Sequence, residues 1–241
     1  MSTGRERLYN WGENTTRWYS NAVSYRSFHK EVANYMLEDL PSSPSVVDVG
    51  CGIGALVMHL APHCSRLTAM DLNPGAIAYL QRQLDRRGLS RVDAVVDDFI
   101  SASPPAERYD GAVFCLAGGV DIFLEAGFRW ADTLFFVENA TNQRSFSSVG
   151  TQTKETYFND DLNRLRELGI PHFYRFFTAP FGQVFTDRTD AEAFMRHYNP
   201  GESEASIQAS LNARLQSLDH PVFKFFIPNE KPLLMITVHH P

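Results

Sequence analysis

Three glycines at alternate positions, Gly50, Gly52 and Gly54, close a short apolar run, Val46-Val47-Asp48-Val49. Leu56, Val57 and Leu60 follow at helical spacing, so residues 46–60 read as strand, tight turn and helix. Glycine takes backbone dihedrals that a Cβ forbids and lets a ligand lie against the main chain. Such a turn brings free N–H groups and a helix N-terminus to one place, which suits a carboxylate or phosphate. Asp71 ends the next apolar stretch, residues 67–70, and belongs beside the turn, where its carboxylate can accept both hydroxyls of a ribose. Asn73-Pro74 already supplies a cap and first residue for the helix that follows, which frees Asp71 for a ligand. Residues 92–96 form a third strand ending in Asp97-Asp98-Phe99, where an acid can accept an adenine amino group beside an apolar side chain. Adjacent acids repel, so one of them faces solvent; Asp98 is placed on the adenine, with Asp97 as the second choice.

Two ligands use such a turn, a dinucleotide or S-adenosylmethionine. Gly50-Cys51-Gly52-Ile53-Gly54-Ala55 satisfies the dinucleotide pattern too, with Asp71 about 20 residues on. Tyr109 to Cys115 is a fourth strand leading into the small residues of Leu116-Ala117-Gly118-Gly119, which leave room for a ligand. VVDVGCGIG, the acid in AMDLNP, DDF and YDGAVFC stand in this order over about residues 45–137. In these motifs the chain resembles the class I S-adenosylmethionine-dependent methyltransferases, of the broad group acting mostly on small molecules. The stretch around Phe181-Gly182-Gln183 is similar to uncharacterised bacterial members.

The resemblance implies an S-adenosylmethionine site at Gly50, Gly52 and Gly54, with Asp71 at the ribose and Leu72 next to it. It further implies Asp98 and Phe99 at the adenine, with Asp97 as the alternative acid, and Leu116 packed near the ligand. Asp48 matches the acidic position ahead of the first glycine in that family, a position that dinucleotide folds keep apolar. The N-terminal segment of such enzymes closes over the methionine end, which makes Tyr19 the contact expected there. Aromatic faces near a sulfonium add roughly 0.5–2 kcal/mol of attraction. The expected activity is methyl transfer to an oxygen or nitrogen of a small molecule. Two alternatives stand beside it. A NAD(P)-dependent oxidoreductase needs a proton donor, and no Tyr-x-x-x-Lys pair follows the fourth or fifth strand. A non-catalytic S-adenosylmethionine-binding module would bind the cofactor and transfer nothing.

No catalytic base stands out. His29 reads as a solvated residue near a helix start, Glu138 follows the fifth strand and either faces the site or anchors a loop, and His239 and His240 lie at the wrong end. No His/Asp/Glu cluster suggests a metal. The absence of an Asn-Pro-Pro-Tyr-type run after the fourth strand weighs against methylation of nucleic-acid bases.

The chain has 241 residues, 44% of them apolar, enough for one sizeable core with a small lid. Its net charge of −6, with no block of Lys and Arg, disfavours a nucleic-acid partner. Arg82 and Arg86 share a solvated helix face. No apolar run approaches membrane-spanning length, and residues 1–14 lack a secretory apolar core, so no membrane is expected and the location is cytoplasmic. Cys51, Cys64 and Cys115 are odd in number, lack metal spacing, and read as reduced packing residues. A homodimer is compatible with all of this.

Alternating strands and helices place these residues on a Rossmann-like α/β fold, a seven-stranded, mostly parallel sheet with helices on both faces. The resemblance adds a final antiparallel strand, at residues 233–239, and the order 3-2-1-4-5-7-6. The expected organisation is an aromatic, helical cap (1–44, with Tyr9, Trp11, Trp18, Tyr19 and Tyr25) and a cofactor-binding core (45–178). A helical lid (179–220) and C-terminal strands completing the core (221–241) follow. Residues 28–40 form a helix burying Val32 and Met36, and Gly88 closes another. Residues 138–155 form a polar loop, and a helix with Leu162, Leu165 and Leu168 ends at Gly169-Ile170-Pro171. The lid carries a helix opened by the capping box Thr189-Asp190-Ala191-Glu192 and a second with Ile207, Leu211, Leu215 and Leu218. Ligands lie at the carboxyl edge of such a sheet, and the lid helices leave the sixth strand there.

Overall fold

The computed structural model describes residues 11–141, 146 and 158–240. Tyr9 and most of the polar stretch 138–155 lie outside the described residues. Six strands come first: β1 (Ser45–Val49), β2 (Arg66–Asp71), β3 (Val92–Val96), β4 (Tyr109–Cys115), β5 (Ala131–Asn139) and β6 (His172–Pro180). Three short strands, β7 (Gln183–Phe185), β8 (Gln216–Ser217) and β9 (Phe225–Ile227), precede the long β10 (Glu230–His239). The main sheet has the order β3-β2-β1-β4-β5-β10-β6. β10 runs antiparallel to β5 and β6, and the other pairings are parallel. This is the expected order, with β10 as the seventh strand. A doubly wound dinucleotide-binding sheet has six strands in the order 3-2-1-4-5-6 and no such inserted strand.

Side chains alternate across each strand, and this divides the core in two. Val46, Leu67, Phe135 and Leu233 face α2 (His29–Glu38), the single turn α3 (Val57–Leu60) and α4 (Pro74–Arg87), meeting Val32, Met36 and Leu80. Val47, Phe114, Phe136 and Leu234 face α5 (Val120–Trp130) and α6 (Phe158–Glu167), meeting Trp130, Leu162 and Leu165. α4 starts as expected: Asn73 Oδ1 accepts from the N–H of Gly75 at 2.9 Å and of Ala76 at 3.1 Å. Gly88, at φ +66°, ends it, and the Leu89 N–H returns to the Leu84 carbonyl.

Several expectations are corrected. The helix after the glycine turn is only α3; Gly52 at φ +54° and Gly54 at φ +80° hold the chain out of helical geometry. Helix α5 was not foreseen. The helix α7 (Arg188–Tyr198) is capped by Asp187, whose carboxylate accepts from the Asp190 N–H at 2.9 Å, so Thr189 lies within its first turn. The helix α8 (Glu204–Arg214) stops before Leu215, because the chain turns extended there and residues 216–217 pair with β9. Leu168 lies past the end of α6 and is exposed. The two C-terminal strands do not both complete the core: β9 joins β7 and β8 in a separate sheet, and only β10 enters the main one.

Residues 183–227, expected as a helical segment ending at 220, are mixed α/β and share a core with the N-terminal segment. Trp18, on α1 (Glu13–Tyr25), is buried with Phe185, Phe194, Ile207, Leu211 and Ile227. Gln183 Nε2 donates to the Trp18 carbonyl at 3.0 Å. Asp190 accepts from Trp18 Nε1 at 2.8 Å and from both terminal nitrogens of Arg17 at 2.9 and 2.7 Å. Among the described residues, no helix is long and apolar enough to cross a membrane. Replacing Asp190 by Ala strands the buried indole N–H, and urea unfolding should show a loss of about 1–3 kcal/mol. Asp190→Asn keeps an acceptor and should recover part of that loss.

Candidate functional site

The glycine turn does not present a row of free N–H groups. Those of Gly50 and Cys51 donate to the Met70 carbonyl at 2.8 and 3.1 Å, and that of Gly54 donates to the Cys51 carbonyl. The Gly52 N–H donates to Asp71 Oδ2 at 2.8 Å, while Asp71 Oδ1 accepts from the Asn73 N–H at 2.8 Å. An anion thus finds these donors occupied, contrary to expectation. The glycines permit close approach instead. A Cβ on Gly50 would stand 2.5 Å from the Ala117 Cβ, and one on Gly52 would stand 2.5 Å from the Trp11 ring.

A cavity of about 1040 Å³ opens over this turn at the carboxyl edge of β1–β4. That is the upper end of the range for small-molecule sites, room for a cofactor and a second molecule. Ten of the eleven residues singled out in the sequence line it: Tyr19, Asp48, Gly50, Gly52, Asp71, Leu72, Asp97, Asp98, Phe99 and Leu116. Gly54 does not; its open side receives Leu80 of α4, so it serves packing. Asp97 is exposed and Asp98 half-buried, as the repulsion argument required. Phe99 is only 3% exposed and packs against Phe114 and Trp130, so the apolar contacts offered to a ligand come from Leu72, Ile100, Leu116 and Ile122. Leu116 sits at φ +58°, rare for a residue with a Cβ, and its N–H is held by the Val137 carbonyl at 2.8 Å.

Asp48 is 1% exposed, and its Oδ2 has no hydrogen-bond partner among the described residues. Burial, then the neighbouring Asp71, raises its carboxyl to about 7. Cys51 and Cys115 face the same space, and burial pushes both thiols up, away from the thiolate.

The far end of the cavity was not legible in the sequence. His29 is buried rather than solvated: Nε2 lies 3.0 Å from the Tyr19 hydroxyl and Nδ1 lies 2.8 Å from Ser27 Oγ. Burial, then the charge of Lys231, lowers its pKa well below the ordinary value. Lys231, between Glu230 and Pro232 and not singled out in the sequence, lines the cavity with its ammonium near the rings of Phe28 and Phe181. Burial brings it down to about 8. Trp11, Phe194 and Tyr198 close this end.

Other candidates lie elsewhere. Glu138 hydrogen-bonds Asp161, whose Oδ2 accepts from the Val120 N–H at 2.8 Å, so it anchors the start of α5. Burial, then Asp161, raises Glu138 to about 8. His239 meets Thr133, and His240 packs on Phe128, away from the cavity. Among the described residues, no group of three His, Cys, Asp or Glu could hold a metal ion.

Residues 46–125 match the family described as "Methyltransferase domain". EEF1A lysine methyltransferase 2 of Mus musculus is 32% identical over 81 residues, 33% of this chain and 32% of that protein. The "Probable cobalt-precorrin-6B C(15)-methyltransferase (decarboxylating)" of Methanobrevibacter smithii is 26% identical over 123 residues, 51% of this chain and 61% of that protein. The chain thus spans less than two thirds of either relative. A SAM dependent methyltransferase from Aquifex aeolicus superposes with a TM-score of 0.52 at 12% identity, covering 92% of this chain and 99% of that one. Sheet order, antiparallel β10 and this superposition make the fold that of the class I S-adenosylmethionine-dependent methyltransferases.

The raised Asp48 carboxyl has a consequence for stability. The folded protein keeps a proton that the unfolded chain releases above an ordinary 3.8, so the ligand-free protein loses stability as pH rises from there through about 7. Asp48→Asn should therefore gain stability over wild type at about pH 8, by up to roughly 4 kcal/mol, and the gain should shrink toward pH 5. Urea unfolding at the two pH values checks this; Glu138 contributes its slope to both proteins.

Proposed function

We propose that this chain is an S-adenosylmethionine-dependent methyltransferase acting on an oxygen or nitrogen of a small molecule. The observation that carries the reading is the buried Asp48, its Oδ2 unpaired among the described residues beside a turn whose Gly50, Cys51, Gly52 and Gly54 N–H groups are already engaged. A buried carboxylate without a partner calls for a cation. Asp71, Asp97 and Asp98 add to the acidity of the same wall. A pyrophosphate would meet four carboxylates and few free donors there, whereas a sulfonium amino acid brings two positive centres. The cofactor, when bound, supplies a methyl group already activated by positive sulfur.

The residues then have distinct roles. Asp71 is fixed by two backbone N–H groups and keeps lone pairs for ribose hydroxyls. Asp98 takes the adenine amino group, between the apolar flanks of Leu72 and Ile100. Gly50 and Gly52 allow the ligand onto the main chain, and Leu116 packs against it. Tyr19 and Trp11, both from the N-terminal segment, cover the methionine end and exclude water. An acceptor that arrives protonated must lose its proton. His29, neutral through burial, can take it at Nε2 by way of the Tyr19 hydroxyl.

The two relatives' names point to different acceptors, a protein lysine and a carbon of a precorrin. The acceptor size proposed for this chain rests on the cavity, which the lid and N-terminal segment roof over. Asp71→Asn should weaken both S-adenosylmethionine and S-adenosylhomocysteine by about tenfold or more, as loss of a charged hydrogen bond does. Calorimetry measures both affinities, and unchanged values would remove Asp71 from the ribose.

A further inference from the structure

The cavity has a second polar centre, far from its acidic wall. Lys231 stands on β10, three strands from β1 in the sheet order, about 14 Å at the usual strand spacing. Its Nζ lies 5.1 Å from the Phe28 ring centre and 5.2 Å from that of Phe181. Among the described residues no carboxylate or hydrogen-bond acceptor pairs with it, and the ionisable groups coupled to its charge are the Cys115 thiol and the His29 ring. His29 senses its charge, and Tyr19 packs on the same Phe181 ring; neither is acidic. Among the described residues the acids that line the cavity, Asp48, Asp71, Asp97 and Asp98, belong to the β1–β3 side.

A cation removed from water without a counterion is costly. Two aromatic faces offset only part of that cost. Taking the cavity as a methyltransferase site, we infer that its second occupant is a planar organic acid, bound as the anion. Its carboxylate or phenolate oxygen pairs with Lys231 Nζ, and its ring lies among the cavity-lining rings of Phe181, Tyr19 and Trp11. The pairing offsets the burial that brings the ammonium down to about 8 and so favours its charged form. Lysine suits this role as a point charge without a fixed fork, so it selects for charge more than for a particular acid shape. An uncharged substrate of the same outline would leave the ammonium unpaired and would bind worse.

Benzoate and benzamide share size and shape and differ in charge, which makes them the probes. Calorimetry on the wild-type protein, alone and saturated with S-adenosylhomocysteine, should show benzoate binding about tenfold or more tightly than benzamide. Lys231→Met should abolish that preference while leaving benzamide and S-adenosylhomocysteine within about twofold of wild type, and Lys231→Arg should restore part of it. Equal binding of the two probes to wild-type protein overturns the inference, and that comparison needs no variant to fold. So does a Lys231→Met protein that loses S-adenosylhomocysteine as severely as benzoate, since Lys231 would then hold the cofactor's own carboxylate. If S-adenosylhomocysteine fails to bind while the benzoate preference and its loss in Lys231→Met persist, the methyltransferase reading falls and the acid site stands.

Discussion

One carboxylate joins the parts on which this site is built. Asp71 accepts from Gly52 in the turn after β1 and from Asn73 at the start of α4. It thereby sets the glycine turn against the end of β2 and fixes the entry of the next helix. Each charge-assisted bond of this kind contributes on the order of 1.5–3 kcal/mol when its partners are shielded. The same geometry aims the remaining lone pairs of Asp71 into the cavity. Stability of the turn and, under the proposed function, recognition of a ligand thus rest on one side chain and would not vary independently.

The cavity is divided by charge along the sheet. Four aspartates gather at the ends of β1–β3, and Lys231, the one lysine lining the cavity among the described residues, stands on β10 beyond β5. Distance keeps the two groups from neutralising each other, and burial leaves Asp48 and Lys231 both shifted toward their neutral forms. Such a wall-to-wall gradient would orient the two ligands proposed above before any contact specific to either is made.

Much of the framework could be read directly from residue patterns. Apolar runs of five or six residues, punctuated by Gly, Asn-Pro and Gly88, mark strands and caps through local rules, and β1 to β4 and α4 followed them. The acids after three successive strands fell on one cavity because parallel strands present their carboxyl ends at one edge. What stayed hidden depends on contacts distant in sequence. His29 looks like an ordinary residue of a helix start until Tyr19 and Phe181 close over it. Lys231 sits in a proline-flanked connector, and only the pairing of β10 with β6 carries it into the site. The turn N–H groups were read as free because their acceptors, the Met70 carbonyl and the Asp71 carboxylate, lie about twenty residues away. The ends of α8 and the placement of β9 were set by a three-stranded sheet whose strands are too short to leave a period-two pattern.

The clasp between Trp18 and the lid bears on how this protein can change over generations. Indole, lid phenylalanines and Asp190 form one folding unit from segments that lie some 170 residues apart. Residues 183–227 transplanted from a cousin would arrive without their other half, and removal of α1 would unseat them. Shuffling of this unit as an independent cassette is therefore disfavoured, and its diversification proceeds by paired change in two segments distant in sequence.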